Sequence, residues 1–216
     1  KRSPSSGGPY ANIATGVTAT TYTNTGLTNG TIYYYVVVAV NATGESDDSV
    51  EKPGQPITVP PGLTAVAGTV KVTLGWNTVA GAVSYTIKRR TSPTGTATNL
   101  TGITGTSYVN TGVSNNKLYY YSIVAVNATG SSDESSQVQA RPIAVPTSFT
   151  AVAGTGKVVL AWAAVAGATS YSVFRGTASG GPYSSITTGV TATTYTNTGL
   201  TNGTAYYYVI TAVNAT

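Results

Sequence analysis

Six side-chain acids are all this chain carries: Glu45, Asp47, Asp48, Glu51, Asp133 and Glu134. With no histidine and no cysteine in 216 residues, acyl-transfer triads, thiol nucleophiles and Cys/His zinc sites are out of reach. Spacing leaves one metal option. Asp47-Asp48 beside Glu45, and Asp133-Glu134, each follow an Asn-Ala-Thr tripeptide, where carboxylates either hold a Ca²⁺ loosely or solvate a turn. The turn reading is preferred and no cofactor is expected, with Asp47, Asp48, Asp133 and Glu134 kept as weak calcium candidates. Gly7-Gly8 and Gly180-Gly181 each run into Pro-Tyr and open no helix, so they read as turns and not as phosphate cradles.

Tyrosine supplies the other chemistry, sixteen times. By strand phase Tyr33, Tyr35, Tyr119, Tyr121, Tyr206 and Tyr208 point inward and belong to a core. Tyr34, Tyr120 and Tyr207 point outward, and Tyr10 and Tyr183 stand beside proline in loops. These five are candidates to stack on sugar or peptide, or to pack on a neighbouring unit. Charge gives little more. Eleven basic residues yield a net +5, and only Lys88-Arg89-Arg90 cluster, too narrow a basic face for nucleic acid. That triplet reads as the solvent face of an edge strand that deters sheet-to-sheet pairing. Asn-x-Ser/Thr acceptors occur at Asn29, Asn41, Asn99, Asn127, Asn202 and Asn214, candidate glycosylation sites in a host that glycosylates secreted proteins.

The elements that position these groups are strands. Composition is rich in Thr, Val, Gly and Tyr, with 41% hydrophobic and 8% charged residues, which suits pleated surfaces joined by tight turns. No window shows helical periodicity, and no stretch of 18 apolar residues offers a membrane span. Period-two alternation appears at Val70, Val72, Leu74 and Trp76, and again at Val158, Leu160 and Trp162. Tyr85, Ile87 and Arg89, matched by Tyr171, Val173 and Arg175, form the next strand. Shorter strands are expected near Thr98 to Ile103 and Thr106 to Val109. The strongest spans Leu118 to Val126, and a last one Ser136 to Arg141.

The chain repeats itself. Residues 2–43 match residues 175–216 at 33 of 42 positions without a gap, and the Tyr-Tyr-Tyr runs at 33, 119 and 206 are 86 and 87 residues apart. A unit of that length is an autonomous small sandwich and not a solenoid repeat. Three units are expected: 1–54 holding only the later part, 55–142 complete, and 143–216 lacking its last strand. The chain therefore reads as a piece of a longer array. Proline-rich junctions, Pro53 to Pro61 and Arg141 to Pro146, should hold the units in a semi-rigid row.

Three features now combine: Trp76 and Trp162 on the second strand, Tyr-x-Ile/Val-x-Arg on the third, and a late run with fixed spacing. That run reads Leu27, Tyr33, Tyr35, Val37, Ala39, Asn41 in the first unit. It reads Val113, Tyr119, Tyr121, Ile123, Ala125, Asn127 in the second and Leu200, Tyr206, Tyr208, Ile210, Ala212, Asn214 in the third. Together they resemble the fibronectin type III family. The resemblance implies an all-β fold of tandem immunoglobulin-like antiparallel β-sandwiches, with Trp76, Trp162 and the inward tyrosines as core. It also implies that Tyr33, Tyr119 and Tyr206 are corner tyrosines whose hydroxyls bond back near the preceding loop.

The wording of the repeats looks like the bacterial and archaeal members found in secreted hydrolases and surface proteins. A non-enzymatic extracellular or cell-surface role follows from that likeness. The first reading is a structural spacer, its partners being neighbouring repeats or further copies in a fibre. The alternative is a carbohydrate-associated accessory module of a secreted hydrolase, touching polysaccharide.

Overall fold

The computed structural model describes residues 1–215, and among them there is no helix. Eighteen strands follow one another. The first five are β1 (Arg2–Ser3), β2 (Tyr33–Tyr35), β3 (Val40–Asn41), β4 (Gly44–Glu45) and β5 (Lys52–Gly54). The next seven are β6 (Thr64–Gly68), β7 (Lys71–Gly75), β8 (Ser84–Arg90), β9 (Thr98–Ile103), β10 (Ser107–Asn110), β11 (Tyr119–Val126) and β12 (Val138–Ala140). The last six are β13 (Thr150–Gly154), β14 (Lys157–Ala161), β15 (Ser170–Gly176), β16 (Ser184–Val190), β17 (Thr194–Thr198) and β18 (Tyr207–Val213).

In the middle of the chain, sheet β10-β7-β6 closes on sheet β12-β11-β8-β9, every pairing being antiparallel. The cause is the alternation in β7 and β11. Val72 and Leu74 turn inward with Trp76 against Tyr85, Ile87, Tyr121 and Ile123, and all seven are buried in one cluster. Lys71 and Thr73 stay in water. The Trp76 indole meets the Tyr85 ring edge-on at 5.4 Å, a geometry that aligns ring edge with ring face. The same packing recurs downstream, where β13-β14-β17 and β16-β15-β18 enclose Leu160, Trp162, Tyr171 and Val173, with Trp162 and Tyr171 at 5.2 Å.

Val70 departs from its expected inward place. It lies in the turn before β7 with φ of 49° and half its surface exposed. The β6–β7 hairpin needs a left-handed residue there, and the downstream copy fills the same position with Gly156 at φ 64°.

Residues 1–54 form sheet β1-β2-β5 and the small hairpin β3-β4, with no tryptophan-bearing sheet across from them. Val37, the counterpart of the fully buried Ile123, is therefore 72% exposed.

Candidate functional site

The expected core tyrosines divide by what covers them. Tyr119 and Tyr121 are buried, because β12 pairs with β11 at these residues and the Arg89 guanidinium lies 5.8 Å from the Tyr119 ring. Tyr33, Tyr35, Tyr206 and Tyr208 are only half-buried; Tyr208 still packs against the downstream core cluster, whereas Tyr33, Tyr35 and Tyr206 are corrected from their placement in a closed core. β18 has no counterpart of β12 beside it among the described residues, and β2 faces no opposing sheet. Arginine covers part of the open rings instead, with Arg2 4.9 Å from Tyr33 and Arg175 5.1 Å from Tyr206.

In each copy the hydroxyl of the first tyrosine accepts a backbone N–H five residues earlier: Thr28 to Tyr33 at 3.2 Å, Ser114 to Tyr119 at 3.0 Å and Thr201 to Tyr206 at 3.2 Å. Accepting that bond lowers the Tyr33 and Tyr206 pKa from the ordinary value. In the first and downstream copies the second tyrosine bonds an asparagine that sequence reading passed over, while in the middle copy the matching asparagine bonds other partners. Asn197 Oδ1 accepts from the Tyr208 hydroxyl at 3.0 Å and from Arg175 at 3.1 Å. Asn110 Oδ1 accepts from Gly112 at 3.1 Å and Arg89 at 3.4 Å, and Asn24 donates to Tyr35 at 3.4 Å. The signal was available in the Asn-Thr-Gly triplets at 24, 110 and 197, which carry the repeat spacing.

Of the five candidate surface tyrosines, the structure brings two together on one outer face. Tyr207 pairs across the strands with Gly176. The Tyr183 ring lies on the other side of the same glycine, so close that a Cβ there would sit 3.2 Å from the ring and 2.6 Å from the Pro182 carbonyl. Tyr183 is steadied by accepting the Gly180 N–H at 3.2 Å, and Tyr207 is 38% exposed. Two rings thus flank a residue without a side chain, and no ion pair of the described residues involves this face.

The first copy has Tyr34 paired with Ser3, but its Tyr10 hydroxyl donates to Glu51. Glu51 also accepts from Ser6 at 2.7 Å and Gly7 at 2.8 Å, so its pKa is lowered while that of Tyr10 is raised. In the middle copy Tyr120 pairs with Arg90, and Ala97 occupies the place of Tyr183. The downstream copy sets its two rings about a glycine, where the first copy has Ser3 opposite Tyr34 and a Tyr10 tied to Glu51.

The calcium candidates are placed otherwise. Glu134 accepts from Lys88 at 2.5 Å, from Arg90 at 3.0 Å and from Ser122 at 2.8 Å, led by Arg90 these bonds hold its carboxyl at about 2. A carboxylate neutralised by two cations is a poor ligand for a third. Asp48 pairs with Lys1 at 3.0 Å, and Asp47 and Asp133 are exposed. Among the described residues no three acidic or metal-ligating side chains come together. Lys88-Arg89-Arg90 is also not on an edge strand, since β8 runs between β11 and β9. Lys88 and Arg90 reach Glu134 on one face, while Arg89 turns to the other and donates to the Gly112 carbonyl at 2.8 Å.

The sequons separate as well. Asn29, Asn41, Asn99 and Asn202 are exposed. Asn127 is buried, and its Nδ2, the atom a glycan would occupy, donates to the Gln55 carbonyl at 2.8 Å. Asn214 Nδ2 donates to the Arg141 carbonyl at 2.6 Å. Both are corrected from acceptor sites to hydrogen-bond donors. A groove of about 490 Å³ opens between the first and middle copies, lined by Tyr22, Asn24, Leu27, Tyr35, Gln55 and Thr129 among others. It belongs to the open first copy, since the counterpart of Tyr22 in the middle copy, Tyr108, packs against the closed core.

No protein-family model matches the chain. It is 48% identical over 68 residues to an amylopullulanase of Thermoanaerobacter thermohydrosulfuricus, a match covering 32% of this chain and 5% of that protein. It is 28% identical over 236 aligned residues to exoglucanase B of Cellulomonas fimi, covering 91% of this chain and 20% of the relative. The chain thus spans a fifth or less of the length of these curated relatives. Among solved structures it is similar to a Fn3-like protein from Clostridium thermocellum, with 37% identity, 38% of this chain and 88% of that chain covered, and a TM-score of 0.36. With its antiparallel sheets, absence of helix among the described residues and tryptophan-centred cores, the chain is an all-β array of tandem antiparallel β-sandwiches.

Proposed function

We propose that this chain is a non-catalytic accessory array of a secreted polysaccharide hydrolase, divided into units at 1–54, 55–142 and 143–216, which works outside the cell and contacts polysaccharide through Tyr183 and Tyr207. The observation that carries this reading is the likeness to an amylopullulanase and an exoglucanase. Both names belong to enzymes of glucan breakdown, and both proteins are far longer than this chain. The Tyr183–Gly176–Tyr207 face supplies a contact of suitable chemistry. Its rings offer flat apolar area for the C–H face of a sugar, the buried Gly176 lets the Tyr183 ring lie flat against the strand, and a neutral polymer meets no unpaired charge there. Sedimentation with insoluble amylose, pullulan and cellulose tests it. The chain is retained on at least one polymer, and Tyr183→Ala loses retention while keeping its fold. Retention on none, or retention indifferent to Tyr183→Ala, sinks the contact.

A second reading, a spacer that only sets distance, is favoured by the closed cores and the proline-rich junctions, and it is what remains if no polymer is retained.

A further inference from the structure

Both junctions are built from the same four parts. At the first, the Gly30 N–H donates to the Pro56 carbonyl at 2.7 Å, and the carbonyl one residue earlier, on Gln55, accepts Asn127 Nδ2 at 2.8 Å. At the second, the Asn116 N–H donates to the Pro142 carbonyl at 2.7 Å, and the Arg141 carbonyl accepts Asn214 Nδ2 at 2.6 Å. Gly30 and Asn116 occupy the same loop position of the preceding copy, both left-handed, at φ 80° and 62°. That geometry aims the N–H at the linker, and Asn is the non-glycine residue best suited to it.

Two consecutive linker carbonyls are therefore tied in opposite directions, one to the copy before and one to the copy after. Only a few backbone bonds lie between the ties, so little rotation is left to the joint. Proline at the second carbonyl removes more, its φ being fixed by the ring. At the first junction Thr129 adds a further tie by accepting the Gln55 N–H at 2.9 Å; its counterpart, Thr216, lies outside the described residues.

Asn127 divides its amide between two tasks. Oδ1 accepts from the N–H groups of Thr129 and Gly130, both at 2.9 Å, and closes its own turn. Nδ2 faces outward to the linker. The backbone contact is common to both junctions, and at the first the Gln55 side chain adds to it, its Oε1 accepting from Asn127 Nδ2 at 3.3 Å and its Nε2 donating to the Gly30 carbonyl at 2.7 Å.

From this we infer that the Asn-Ala-Thr tripeptide is the joint of the array: a surface on each copy that binds the linker backbone leading from the copy before it and fixes the angle between them. This inference is independent of polysaccharide contact. It assigns to Asn127 and Asn214 a coupling task, since a linker carbonyl and a left-handed loop residue recur at both junctions.

The chain has no native cysteine, so paired spin labels can be placed cleanly at Glu45→Cys and Thr101→Cys, on either side of the first junction. The distance distribution between them is one narrow peak. Asn127→Ala and Asn127→Asp each broaden it about two-fold or more, because relative motion is the default once a small interface loses its ties. Asp is the decisive variant. It keeps the acceptor that closes the turn and replaces the donor to Gln55 with a carboxylate oxygen that repels the two Gln55 oxygens, so a residue serving its own turn alone would leave the peak unchanged. Trp76 emission and far-ultraviolet spectra establish that each variant is folded. An Asp variant with the parent's width overturns the inference, as does a parent distribution as broad as that of the variants.

Discussion

Two buried tyrosines of the middle copy differ in one respect that decides what their hydroxyls are worth. Tyr85 accepts the Val79 N–H at 2.9 Å, with both residues buried. Tyr85→Phe keeps the edge contact with Trp76 and deletes only the acceptor, stranding a buried donor, a loss of about 1–3 kcal/mol. Tyr121 is buried more deeply, with none of its surface exposed, and its hydroxyl has no hydrogen-bond partner. Burial accordingly pushes its pKa well above the ordinary value. Tyr121→Phe removes a desolvated group that gives nothing back, so stability is unchanged or rises by up to about 1 kcal/mol.

Urea unfolding followed by Trp76 emission, in a Trp162→Phe background, measures both. With a slope of roughly 1–3 kcal/mol per molar, Tyr85→Phe lowers the midpoint by several tenths of a molar or more, and Tyr121→Phe does not lower it. Equal losses in the two variants would refute the reasoning, since they would show that hydroxyl burial alone, and not its pairing, sets the effect.

The Glu134 carboxyl is held at about 2 in the fold, against an ordinary value of 4.5. Its contribution is therefore complete above pH 4.5 and drains as the pH falls toward 2, where the folded group also protonates. Glu134→Gln flattens the pH dependence of the Trp76 unfolding midpoint over that window, and added salt shrinks the parent's slope because the cluster is partly open to solvent. Val70→Gly relieves a β-branched residue of its left-handed conformation at little cost in burial. It raises stability by up to about 1 kcal/mol in the same urea assay, whereas a loss would mean that the Val70 side chain contributes more than its backbone costs.

The closed sandwich was legible in the sequence because alternation with a tryptophan at the end of a strand leaves few choices. Leu74, Trp76, Ile87 and Ile123 declare their face by phase alone, and the structure buries all four. Phase failed where burial depends on what lies opposite. Tyr208 has the same strand phase as Tyr121 but a different cover, and no pattern within its own strand carries that difference. Val70 failed because the alternation continues into a turn, where backbone geometry overrides it.

Charge was harder to read. Lys88-Arg89-Arg90 looks like an exposed edge until Glu134, 44 residues beyond Arg90, is seen to fold back across two of the three. The joint asparagines were hidden by their own motif, since Asn-Ala-Thr spells a glycan acceptor whether its amide is free or spent. The Tyr183–Tyr207 pair depends on Gly176, a residue with no chemistry of its own, whose meaning emerges only from the cross-strand register.

A nuclear magnetic resonance titration of the labelled chain with soluble glucan fragments tests the proposed role most directly. The account predicts shifts that saturate and cluster on Gly176, Tyr183, Tyr207 and their immediate neighbours, with the Trp76 core silent. Shifts centred on the groove beside Tyr22, or none with any fragment, would contradict it.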